Sequence, residues 1–357
     1  MQHIKLFLAL LAFGALTQSV FAGDKHANNS EEEFDAMEMI MHHIADSHEW
    51  HIISYHSKGE EKHITLPLPI ILIDEGLHVF MSSAFHRGEE VVKKGDKYYK
   101  LYHGKIYTTD AEGTIDYDEN HEVLNAKPID FSITRNVASM WLSIIIIIWL
   151  FTSAAKRYRG PPSAPKGVQS FVEPLILFVR DDIAYEQIEK KKADRFIPFL
   201  LTLFFFIWIN NLLGLIPFFP GGSNLTGNIS LTMVLALITF FVTNFSGSKS
   251  YWGHIFWMPG VPVPIRVLLS VIEFIGLFTK PFALMIRLLA NITAGHIIIL
   301  SLFSLIFVMK SVAIAPVSIL MALMMFMLEL LVAVLQAYIF TLLSALFIGM
   351  AVHSEEH

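Results

Sequence analysis

Two long apolar runs in this chain carry side chains that a bilayer interior should forbid. The first, Arg266 to Met309, holds Glu273, Lys280, Arg287, Asn291 and His296; the second, Ala313 to Val352, holds Glu329 and Gln336. Helical residues seven apart differ in direction by only about 20°. Glu273, Lys280 and Arg287 therefore form one stripe, and Asn291 returns to its face. His296 points about 180° away from Arg287. Glu329 and Gln336 repeat the spacing of seven, with Tyr338 nearby. Ionisable groups at membrane depth cost kilocalories each, and they face water, one another or a partner. A carboxylate and an imidazole can relay protons, while a guanidinium keeps its charge throughout. An ion pair of Arg287 with Glu329, gluing two helices, is the plainer alternative. A stripe of polar groups answered by an acid and an amide exceeds what glue requires, and a hydrated ion path is the simpler account.

The elements holding these groups follow from hydropathy and charge. Of 357 residues, 54% are hydrophobic and 16% charged, and Phe occurs 29 times. Roughly a quarter charged is usual for globular chains, so most of this one belongs in a bilayer. Residues 133–152 form a first transmembrane helix, with Trp141, the isoleucines from Ile144 to Ile148, and Trp149. Lys156, Arg157, Arg159 and Lys166 follow with no acid among them, which places that end in the cytoplasm. Residues 153–195 supply a linker at Gly160 to Pro165 and an amphipathic interfacial helix from Val168 to Lys192. Residues 196–357 form a membrane domain, with spans at Phe196 to Phe219 and Asn228 to Thr243 joined by an uncharged loop. The two polar-bearing runs would make about 66 Å and 60 Å of helix against a hydrocarbon core of roughly 30 Å. Each run either breaks in two or is a long tilted helix, and no turn cluster divides them. The reading is an all-α polytopic membrane protein of about five passes with a cytoplasmic carboxyl end.

The front of the chain differs. Residues 1–22 read as a signal peptide, with Lys5, an apolar run and a small-residue end at Ala22; an uncleaved first helix is the alternative. Residues 23–132 form an acidic, His-rich extracytoplasmic region. From Asp24 to Arg135 there are 22 acidic and 11 basic side chains, a balance of −11, against +4 from Lys156 onward. Ile64 to Phe85, turning at Asp74-Glu75-Gly76, reads as a β-hairpin. Lys97 to Tyr102 and Ile106 to Thr108 read as a second hairpin. His42, His43, His48 and His51 invite a metal reading, but their spacing repeats no known cage, and a solvated polar surface explains them as well.

Several functions are excluded. With no cysteine there is no thiolate zinc site and no thiol chemistry. No G-x-x-x-x-G-K-[ST] occurs, so nucleotide chemistry would sit on partners. The charge distribution argues against nucleic acid. A secondary transporter would show internal repeats and paired broken helices, and neither is present in the sequence. A bare membrane anchor leaves the buried stripe unexplained.

The residues also carry a resemblance. Lys280-Pro281 followed by Ile286-Arg287-Leu288-Leu289-Ala290-Asn291-Ile292-Thr293-Ala294-Gly295-His296 resembles the R-L-x-x-N-x-x-A-G signature of the subunit a family of F-type ATP synthases. Leu335-Gln336-Ala337-Tyr338-Ile339-Phe340 is similar to its L-Q-A-[FY]-I-F, and Asn211 to Pro217 to its N-L-x-G-L-x-P. The likeness covers about residues 133–357. It implies a proton-conducting stator subunit with two offset half-channels to the c-ring, coupling proton flow to rotation and ATP synthesis. Arg287 would face the ring carboxylate; Asn291, His296, Glu329 and Gln336 would line the outer path, and Glu273 the cytoplasmic one. His296 with Glu329 follows the mitochondrial arrangement of the ionisable pair rather than the reverse order of some bacterial members. Gly214 stands where some members have an aspartate. Implied partners are the c-ring, the subunit b stalk, the rest of the complex and the lipid of a bacterial inner membrane; no cofactor or metal is implied.

Overall fold

The computed structural model describes residues 46–57, 60–118, 122–158, 164–216, 219–258, 260–309 and 311–353. The signal-peptide segment, His42 and His43 lie outside them. The chain divides into two compact units: residues 1–140, 216–223 and 300–321 in one, the remainder in the other.

Among the described residues, the first unit holds eight short strands in three antiparallel sheets. β1 (Glu49–Ser57) pairs with β2 (Glu60–Pro67). β3 (Pro69–Ile73) lies between β4 (Leu77–Met81) and β8 (Ile129–Asp130). β6 (Lys97–Tyr102) lies between β5 (Val92–Lys94) and β7 (Lys105–Thr109). Both expected turns are present. The first hairpin is shorter than the sequence reading, however, because Ile64 to Leu66 pair with β1 instead. Pro67 and Pro69, which lack an N–H for a continuous ladder, separate the two pairings. Ile70, Leu72, Phe80, Phe85, Val92, Tyr99 and Ile106 form the core. His48 is buried and meets Asp130, Nε2 to Oδ2 at 2.8 Å, so its ring serves a polar contact within the fold.

Asp74, in the β3–β4 turn, ties two sheets together. Its carboxylate accepts from Lys97 Nζ at 2.8 Å, from Tyr99 Oη at 3.3 Å and from Thr108 Oγ1 at 3.4 Å. The Lys97 ammonium holds the Asp74 carboxyl below its ordinary value, against the opposing effect of burial. That stabilisation is complete above the unfolded carboxyl value of about 4 and is lost as pH falls through the lower folded value. Asp74→Asn should cost about 1–3 kcal/mol at neutral pH, and wild type should lose the same advantage in acid. Faster hydrogen exchange of β6 and β7 amides in the full chain would register both; unchanged protection would refute the assignment.

Helices make up the rest. α1 (Arg135–Arg157) leaves the strands almost directly. α2 (Val168–Phe178) begins the amphipathic segment. That segment is not the single α-helix the periodicity predicts. It widens into a π turn at Val179–Ala184, regains one α turn at Tyr185–Gln187, and breaks where Ile188 becomes extended. The wider turn keeps Val179, Ile183, Ala184 and Ile188 all buried, which an even 3.6-residue repeat would not do.

α3 (Ile197–Leu215) and α4 (Ile229–Phe245) follow. The Asn228 side chain caps α4 by accepting from Ser230 N at 2.9 Å. Past this span α5 (Lys249–Phe256) turns away at 104°. Ser248 caps it, accepting from Tyr251 N at 3.1 Å. α6 (Val263–Val308) runs 46 residues unbroken through Pro281, and α7 (Ala315–Val352) runs 38. Among the described residues, four helices are long and apolar enough to cross a membrane, and α4 with α5 makes a fifth candidate. The protein is a mostly helical, multi-pass membrane protein with a small β-containing N-terminal region.

The carboxyl end of α7 is tied to two other segments. Ser248 N donates to Ala351 O at 2.8 Å and Lys192 Nζ to Val352 O at 2.9 Å. Ser248 Oγ donates to His353 O at 3.0 Å. These donors occupy carbonyls that a helix terminus leaves unpaired. Gly349 sits so close to the Gln187 carbonyl that a Cβ would overlap it.

Candidate functional site

The site is built on α6 and α7. Leu284, Leu288, Ile292 and Gly295 form the buried ridge of α6, at the three- and four-residue spacing of one helical face. On α7 the fully buried Ala333 and Ala337 keep the surface low, and small residues of this kind let two backbones approach. The approach is measured by Gln336, whose Nε2 donates to the Arg287 carbonyl at 3.2 Å.

The polar stripe lies along one flank of the ridge. Arg287 and Asn291 are exposed, and Glu273 and Lys280 are half-buried. No carboxylate forms an ion pair with Arg287 among the described residues. The glue alternative is therefore absent: Arg287 and Glu329 are not a salt bridge. The Lys280 ammonium lies over the Phe347 ring, 5.7 Å from its centroid. Beside it opens a mainly apolar cavity, where Thr239, Asn244 and Lys280 stand among Phe240, Leu277 and Met350. His296, on the other flank of α6, is half-buried.

Glu329 is the most confined of the ionisable groups on α6 and α7. It is 2% exposed, and neither carboxylate oxygen has a hydrogen-bond partner among the described residues. The carboxylate lies against Gly295: a Cβ there would stand 2.8 Å from Glu329 Cδ and closer still to one oxygen. Gly295 therefore leaves the space the acid fills. The arrangement brings Glu329 to the residue preceding His296 and brings Gln336 to Arg287, while Glu273 stands away from both.

Asn211, near the carboxyl end of α3, completes the set. Its Nδ2 donates to the Ala333 carbonyl at 3.3 Å, and its Oδ1 accepts from Thr226 Oγ1 at 2.7 Å. The sequence reading gave Asn211 no role, although a buried amide within an apolar span is a signal of the same kind as the others. Gly295 offers no such signal, because its role depends on Glu329 lying opposite.

Comparison with known proteins identifies the family. A family profile described as ATP synthase A chain matches residues 137–349, and one described as a domain of unknown function (DUF8433) matches residues 39–131. ATP synthase subunit a of Chloroherpeton thalassium is 48% identical over 233 residues, covering 64% of this chain and 69% of the relative. ATP synthase subunit a 2 of Chlorobaculum tepidum is 45% identical over 243 residues, covering 66% and 67%. ATP synthase subunit a of an Anaeromyxobacter species is 44% identical over 242 residues, covering 64% and 57%. With the polar stripe, the buried acid and the long helices in place, the chain belongs to the ATP synthase A chain family and is a proton-conducting subunit of the membrane sector of an F-type ATP synthase.

Proposed function

We propose that this chain forms two offset aqueous half-channels beside a rotating ring of carboxylate-bearing subunits, with Arg287 between them. The observation that carries this reading is the contrast between Glu329, confined without a hydrogen-bond partner, and Arg287, exposed on the flank of α6 without an ion pair. A permanent cation open to a partner attracts a deprotonated ring carboxylate and repels a proton crossing directly between the paths. Asn291, His296, Glu329 and Gln336 line the outer path and relay protons to the ring. Glu273, with Lys280 on the same stripe, serves the cytoplasmic path. Lys156 and Arg157 at the end of α1 orient the chain in a bacterial inner membrane, amino-terminal region outside and carboxyl end in the cytoplasm. The c-ring and the subunit b stalk are its partners, and residues 1–22 its export signal.

Glu273→Gln tests the cytoplasmic limb. Gradient-driven ATP synthesis in vesicles should slow without stopping, because water and the other polar groups of the stripe still conduct. A rate equal to wild type at equal complex content would remove Glu273 from the path.

A further inference from the structure

The segment joining α3 to α4 is held at both of its ends, and the two holds belong to different parts of the chain. Its second half is fixed by Thr226, which donates to the Asn211 amide that in turn donates to the Ala333 carbonyl. Its first half, residues 216–223, belongs to the same compact unit as the N-terminal strands. There the buried Trp50 of β1 donates from Nε1 to the Gly221 carbonyl at 3.4 Å. Its ring meets Phe219 edge-on, centroids 5.1 Å apart. Ser223, fully buried, donates from Oγ to Asn136 Oδ1 at 2.6 Å. Asn136 is itself fixed, since its backbone N donates to Asp46 Oδ1 at 3.1 Å while Arg135 N donates to Ser47 O at 2.8 Å.

From this double hold we infer that the N-terminal β region braces the segment, and that Trp50 and Ser223 are positioning residues for proton entry. The inference rests on the outer path proposed above. Only Asn224 and Leu225 separate Ser223 from Thr226, so the chain between the two holds spans at most about 11 Å. Thr226 sets the Asn211 amide, and the Asn211 amide bonds α7 one turn before Gln336. None of the bracing groups need touch the proton. Their effect is on how readily it enters when protons are scarce, and full turnover is retained when they are plentiful.

The test is ATP synthesis by the whole complex in vesicles, at fixed driving force and with varied proton concentration on the outer side. Trp50→Ala should raise the outer proton concentration for half-maximal rate about threefold to tenfold, within the range of coupling seen along packed networks. The maximal rate per assembled complex should stay near wild type. Trp50→Phe keeps the ring contact and loses the donor, and should recover part of the shift. If Trp50→Ala fails to assemble, Ser223→Ala, which deletes a single hydroxyl, should show a smaller shift in the same direction. Half-maximal concentrations equal to wild type, or a rate reduced equally at every concentration, would overturn the brace. Arg287→Ala measured in parallel separates the two ideas. Full activity there would overturn the outer-path reading and the brace with it, whereas inactivity there beside wild-type behaviour in the Trp50 and Ser223 variants would overturn the brace alone.

Discussion

Arg287→Ala should abolish gradient-driven ATP synthesis while leaving the complex assembled. The guanidinium lies on the exposed flank of α6, away from the ridge of Leu284, Leu288 and Ile292 that buries the helix. The contact with α7 at this level uses the Arg287 carbonyl, which alanine retains. Truncation therefore removes charge without removing packing. A ring carboxylate arriving deprotonated would find no cation to favour it, and protons could pass between the half-channels without turning the ring. Arg287→Lys should fail largely as well, because a compact, strongly hydrated ammonium does not reproduce a broad guanidinium that keeps its charge. Both variants can be read in vesicles, with complex content measured by immunoblot. Normal ATP-driven proton pumping by either would end the central proposal.

Exchange of the acid and the imidazole should have the next largest effect. Glu329 occupies a site with no hydrogen-bond donor among the described residues, pressed against the residue that precedes His296. His296→Glu would set a second acid near the first, where like charges resist joint ionisation. Turnover should fall by about 100-fold, the lower end of what general acid–base groups contribute. Adding Glu329→His restores one acid and one imidazole in reversed positions and should return part of the rate. A double variant present in the membrane but no better than the single one would show that the two side chains are not coupled.

What could be read from the chain alone was local or strongly periodic. The charges of α6 and α7 stand out because their neighbours are apolar, and the turns at Asp74 and His103 follow from residues within a few positions. The missing information lies in pairings across long sequence separations. Gly295 is meaningful only with Glu329 opposite. The Asn211–Thr226 bond needs the α3–α4 segment folded back, and the π turn at Val179–Ala184 answers to what the segment packs on rather than to its own propensities. Ser248 could have announced α5, since Ser is a favoured helix cap. The six residues from Ser250 to Ile255 hold no Asp, Glu, Lys or Arg to mark a solvated helix face.

On the proposed reading this chain is a stationary part beside a turning ring, and it must resist the sideways push the ring exerts. The carboxyl end of α7 is suited to that burden. Lys192, Ser248 and the backbone contact at Gly349 fasten it to two separate segments. A force on α7 is thus divided among three pieces of chain that cannot slip past one another singly. The stiffness resides in backbone carbonyls and a glycine, so most side chains along this end can vary without slackening the mounting.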